Sequence, residues 1–129
     1  MIPFCVDQGI GIIPWSPLAR GFVMGNRTRE KGGETTRSKS DGFAHSMYYQ
    51  DVDFEIAGRV GTLAGRLGIP RATLALAWML HKPGLTCPIV GMSKVQHLEE
   101  AVAAVGVKLG QEDMASLEEP YRPKRVLGF

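Results

Sequence analysis

Two short apolar runs constrain this chain more than anything else in it. Ile10, Ile12 and Ile13 lie between Gly9 and Pro14, and Pro88, Ile89 and Val90 end at Gly91. Runs this short and this continuous suit strands buried on both faces, as in parallel sheets. Helical periodicity fills much of the space between and after them, and strands alternating with helices argue for parallel βαβ units. Two strands are too few for a self-sufficient sheet. The 129 residues are ample for one domain, with 44% hydrophobic residues to form a core. The order of elements nevertheless reads as part of a larger fold.

Residues 1–8 read as the end of a helix stopped by Gly9. Over residues 54–67, Ile56, Val60, Leu63 and Leu67 fall on one helical face beside Ala64. Gly58, Gly61 and Gly65 form a stripe there, which either admits another backbone or simply weakens the helix. Gly68 suits a left-handed cap, and Pro70 suits the first turn of the next helix. That helix carries Leu74, Ala77, Trp78 and Leu80 to about His81. A third runs from Lys94 to Val105 with Val95, Leu98, Val102 and Val105 on its apolar face, and Gly106 ends it. A fourth covers 111–119 with Met114 and Leu117 inward. Residues 22–53 read as a long loop, either functional or disordered.

The formal net charge of +2 is too small to imply a nucleic-acid partner. The window from Arg20 to Lys39 carries +4, leaving −2 for the rest. Such a segment suits a small anion or a solvated loop. No run approaches the ~20 apolar residues of a bilayer span. The N-terminus lacks the pattern of a signal peptide. Cys5 and Cys87 make no metal-ligand spacing and no disulfide framework, so a reducing cytoplasm is the expected setting.

Two segments could carry chemistry, each at the C-terminal end of an apolar run, where parallel α/β folds bind ligands. The first is Trp15-Ser16-Pro17-Leu18-Ala19-Arg20-Gly21. It offers a stackable ring, a hydroxyl and a cation, or else simply a tight turn with a buried Trp. The second is Val90-Gly91-Met92-Ser93-Lys94-Val95-Gln96-His97. Ser93 and Gln96 fit an S-x-x-Q capping box, which explains both side chains structurally. Lys94 and His97 would oppose the macrodipole at a helix start, and a bound anion would remove that conflict. Tyr48 and His45 have no partner pattern that makes them catalytic.

At this point the residues resemble a known family. Gly9 to Gly21 is similar to the seventh-strand region of aldo-keto reductases. Leu74-Ala75-Leu76-Ala77-Trp78-Met79-Leu80 resembles their seventh barrel helix. Pro88 to Lys94, continuing through His97-Leu98-Glu99-Glu100-Ala101, is similar to the eighth strand and the cofactor-phosphate loop. The resemblance implies an α/β fold. The chain would be a partial (β/α)8 TIM-barrel segment over 1–129, with two short parallel strands and about four helices. A whole barrel takes ~250 residues.

The resemblance also implies NADP(H) lying across the barrel mouth. Trp15 would stack on the nicotinamide, and Ser16, Leu18 and Arg20 would line the pyrophosphate loop. Arg27 and Arg29 would fold over it. Gly91 and Ser93 would meet the adenosine end, Lys94 and His97 the 2′-phosphate, and Glu100 the adenine. His97 and Ala101 depart from the family pattern, which often has Gln or Arg at the first position and Asn at the second. The family's Asp, Tyr, Lys and His tetrad comes from the early strands, which this chain does not carry. The expected function is therefore cofactor binding in a reductase of aldehydes or ketones, with negligible activity from this chain alone. The alternative is a non-catalytic fragment that pairs with a second copy or with a complementing barrel fragment.

Overall fold

The computed structural model describes residues 1–29 and 41–125. Helix α1 spans Ile2–Asp7, and a 3-10 segment covers Ala19–Met24. Helix α2 spans Gly42–Met47, α3 Asp51–Leu67, α4 Arg71–Leu80, α5 Val95–Ala103 and α6 Gln111–Glu118. A 3-10 turn over Ala104–Gly106 takes the place of the last turn expected of α5.

The region 22–53 differs from the loop expected there. It contains α2 and the first turn of α3, while residues 30–40 lie outside the described residues. Helix α2 is too short for periodicity to reveal it. What starts it is a cap: an oxygen of Asp41 accepts the Ala44 backbone N–H at 3.0 Å, and Ala44 is fully buried. Helix α3 begins at Asp51 because Asp53 accepts the Gln50 N–H at 3.0 Å, placing two acids in the positive first turn.

The two expected strands are reduced to isolated contacts. Among the described residues, parallel pairing occurs at two bridges, Ile12 with Leu85 and Trp15 with Ile89. Thr86 N–H donates to the Ile12 carbonyl and Ile89 N–H to that of Pro14, both at 2.9 Å. The ladder is broken chemically. Pro14 and Pro88 have no N–H to give, and the Ile12 N–H goes to the Thr86 hydroxyl at 3.1 Å instead of a carbonyl. The parallel direction matches the expectation, but continuous strands do not form.

Helices α3, α4 and α6 enclose the main core of Val60, Leu63, Ala64, Leu74 and Leu117. A second cluster joins α4 to the end of α5 through Leu76, Ala77 and Ala104, with Val90 packed against it. Gly68 caps α3 in the left-handed region at φ 65°, as its position predicts. The glycine stripe does not meet a backbone. A Cβ on Gly61 would run into the Arg71 guanidinium, whereas Gly58 and Gly65 face open space.

Two inward assignments are corrected. Leu67 is exposed at the end of α3, and the whole stripe Val95, Leu98, Val102 and Val105 is exposed on α5. The apolar face of α5 is real, but only Ala101 and Ala104, on its other side, meet the core. Ile10, Ile13, Trp15 and Ile89 are likewise more than half exposed or nearly so.

Candidate functional site

The Trp15–Ile89 bridge brings together two segments far apart in sequence, and a cavity of about 650 Å³ opens between them. One wall is the loop after the first apolar run. Ser16, Ala19 and Arg20 take φ of 52°, 48° and 54°, and Gly21 takes 86°. Left-handed backbone at three non-glycine residues stores strain of order 1–2 kcal/mol each. Two local hydrogen bonds hold it, Ala19 N–H to the Ser16 carbonyl at 2.9 Å and Gly21 N–H to that of Leu18 at 2.8 Å. Trp15 leaves the bridge with its side chain largely exposed at the cavity edge.

The cavity gathers nine of the eleven residues singled out in the sequence. Trp15, Ser16, Leu18, Arg20 and Arg27 line one side, and Gly91, Ser93, His97 and Glu100 the other. Arg29 and Lys94 do not line it. The Arg29 guanidinium pairs with Asp51 at 2.9 Å and lies over the Phe54 ring, 5.2 Å from its centroid. Lys94 stands exposed as the N-cap of α5. The expected capping box is absent: no side chain caps α5, and Gln96 donates instead to Glu100 at 2.8 Å. The helix start therefore lies one residue later than the S-x-x-Q pattern implies.

Sequence reasoning missed Met24, Asn26, Ala72 and Gln96 as lining residues. Asn26 could have been flagged by the turn glycine before it, since Gly25 sits at φ 74°. Ala72 carried no signal beyond its small size at the start of α4. Behind the wall, Thr73 is almost fully buried and donates to the Glu100 carbonyl at 2.8 Å, fixing α5 against α4.

The charged side of the cavity is organised by a buried carboxylate. Asp41, 7% exposed, accepts from Arg20 Nε at 2.8 and 3.1 Å. The Arg20 hydrogen bond, supported by the Ala44 N–H and the Arg27 charge, holds this carboxyl below the usual carboxylate range despite its burial. Arg20 is correspondingly raised by its hydrogen bond to Asp41. Arg27 donates to the Arg20 carbonyl at 2.8 Å and to the Tyr49 hydroxyl at 3.2 Å. Two polar atoms on the lining residues are buried without a protein partner, Arg27 Nε and Asn26 Oδ1. Arg20 and Arg27 bring guanidinium donors to the cavity wall, and such donors fit an anionic, hydrogen-bonding ligand. A phosphate-bearing dinucleotide has that chemistry.

Tyr48 and His45 lie outside this cavity. His45 stacks on Tyr49 with ring centroids 4.0 Å apart, and burial pushes the pKa of the Tyr48 hydroxyl up. Among the described residues no three His, Cys, Asp or Glu side chains converge as a metal site, and no helix is long and apolar enough to cross a membrane. Cys5 and Cys87 are free thiols.

Comparison with known proteins places the chain in a family. A Schizosaccharomyces pombe protein named for aryl-alcohol dehydrogenase activity is 46% identical over 128 residues, covering 99% of this chain and 35% of its own length. The versiconal hemiacetal acetate reductase of Aspergillus parasiticus is 39% identical over 130 residues, covering 98% of this chain and 36% of its own. A crystal structure of a thermostable aldo-keto reductase with the inhibitor epalrestat superposes with a TM-score of 0.60 at 22% identity. The match covers 93% of this chain and 33% of that one, and it shows the shared fold. The chain thus spans about a third of the length of the curated relatives it matches. The sequence pattern of the Aldo/keto reductase family matches residues 1–122, and this chain belongs to that family.

Proposed function

We propose that this chain is the C-terminal, cofactor-holding part of an NADP(H)-dependent reductase with a (β/α)8 barrel. The observation that carries the reading is the cavity itself. Strained backbone, Arg20 and Arg27 line it on one side, with Ser93 and His97 on the far side. Arg20 and Arg27 would hold the pyrophosphate, and His97 would serve the 2′-phosphate without help from Lys94. Trp15 would stack on the nicotinamide. The bound cofactor would supply hydride exchange with an aldehyde or ketone. The chain's own residues orient and neutralise it, and the proton donor and its partners would come from outside residues 1–129. A reducing cytoplasm suits the two free thiols.

Titration of the purified chain with NADPH, followed by cofactor fluorescence, tests this reading. Saturable binding with negligible NADPH oxidation on a panel of aldehydes is expected. Absence of binding, or clear turnover by the pure chain, would overturn it.

A second reading is supported by the exposed stripe on α5 and by Ile10, Ile13 and Ile89. Large contiguous apolar surface marks association. In this reading the chain pairs with a second copy or a complementing barrel fragment. Size-exclusion with light scattering distinguishes it, since a stable monomer would count against it.

A further inference from the structure

We propose that Asp41 is a positioning residue for the dinucleotide. It holds Arg20 and Arg27 as one oriented clasp over the pyrophosphate half of the cavity without touching the ligand. The inference rests on the cofactor reading above and adds to it a residue outside the cavity lining.

Asp41 lies behind the wall, with its side chain only 4% exposed. Both its oxygens accept from Arg20 Nε, which leaves the Nη groups of Arg20 for a ligand. Its Oδ2 stands 3.9 Å from Arg27 Nη2. Arg27 in turn donates to the Arg20 carbonyl, so the two arginines are tied through both a side chain and a backbone. Phe43, two residues on, lies under the Arg20 guanidinium at 5.4 Å from the ring centroid. Arg20 and Arg27 both line the cavity. Two guanidinium groups this close repel each other unless a carboxylate is shared between them. The same carboxylate caps α2 through Ala44, so the helix anchors the clasp.

This arrangement gives a prediction of unusual sign. If Asp41 were merely a counter-charge, its removal would raise the positive potential and tighten an anionic dinucleotide. If it positions the arginines, removal weakens binding although the cavity becomes more positive. The effect must also be local. Adenosine 2′,5′-bisphosphate lacks the pyrophosphate and nicotinamide, so it engages the Gly91–Glu100 side and should not depend on Asp41.

The test compares Kd for NADPH and for adenosine 2′,5′-bisphosphate across wild-type chain, Asp41→Asn and Asp41→Ser. Serine keeps an N-cap oxygen for Ala44 while removing the clasp, so it separates capping from positioning. The expected result is NADPH binding about tenfold weaker or more in both variants, the scale of a lost charge-assisted contact. Binding of the bisphosphate should stay within about twofold of wild type. NADPH binding that is unchanged or tighter overturns the inference, as does an equal loss for both ligands, which marks general unfolding. A wild-type chain that binds neither ligand instead overturns the cofactor reading and the inference with it.

Discussion

Leu74 and Leu98 sit on neighbouring helices and occupy equivalent places in their apolar stripes, yet one is 0% exposed and the other 50%. Leu74 faces the space closed by α3 and α6. Leu98 belongs to the outer face of α5, along with Val95, Val102 and Val105. Helical periodicity reports which face is apolar, and nothing in it reports whether a neighbour is present. In this family member, which spans about a third of its relatives' length, one side of the helical layer is complete and the other is not.

The largest test of that contrast is a pair of truncations. Leu74→Ala should cost ~2–5 kcal/mol in urea unfolding of the 129-residue chain, since it empties a closed core. Leu98→Ala should cost about 0.5 kcal/mol or less, because it removes little buried surface. A cost for Leu98→Ala that approaches that of Leu74→Ala would break the comparison. It would show that α5 is covered in solution, as the association reading requires.

The same contrast explains what could be read from the sequence. The helices α3 to α6 were legible because their apolar residues recur at helical spacing, and Gly68 marked a boundary through its left-handed φ. The strands were legible in direction only, because Pro14 and Pro88 deny them the N–H groups a ladder needs. Helix α2 was invisible since it depends on a single cap from Asp41, a tertiary residue whose role is fixed by Arg20. In the site, the residues beside the two bridges that the sequence singles out line one cavity, because each follows an apolar run. Arg29 was misplaced because a basic segment shows charge but not direction, and its guanidinium turns to Asp51 and Phe54. Asn26 is harder to read, because Gly25 before it marks a turn but not which side chain the turn buries.

A smaller effect separates two glycines one helical turn apart on α3. Gly58 faces open space, so Gly58→Ala should stabilise the chain by ~0.5–1 kcal/mol through helix propensity. Gly61 is where the Arg71 guanidinium lies, with Arg71 Nη1 donating to the Ala57 carbonyl at 3.3 Å. Gly61→Ala must displace that group, so its propensity gain should be cancelled or reversed. Thermal melts of the two variants check the difference. Equal stabilisation would mean that Arg71 is not held between the helices, and the closed side would be looser than its burial suggests.

The smallest effect concerns the rim of the closed side. Glu118 on α6 accepts from Trp78 Nε1 at 2.9 Å and pairs with Lys82, whose ammonium lies 4.9 Å from the Trp78 ring centroid. The Lys82 hydrogen bond, joined by that of Trp78, holds the Glu118 carboxyl below the usual carboxylate range in the folded chain. The unfolded state therefore takes up the proton first as pH falls. Stability from this cluster is complete above the ordinary glutamate range and drains away as pH falls through the lowered folded-state value. Glu118 is 38% exposed, so solvent screening limits the effect to about 0.5 kcal/mol. Glu118→Gln should thus be slightly less stable than wild type at pH 7, with a smaller deficit at pH 3. Asp51→Asn, which removes the exposed partner of Arg29 and one of two acids in the first turn of α3, should cost no more than about 0.5 kcal/mol at pH 7. Urea midpoints at both pH values decide the matter. A Glu118→Gln deficit that persists undiminished in acid would assign the stabilisation to packing around Trp78 instead of to charge. Charge at this corner of the rim would then add nothing measurable to the closed side.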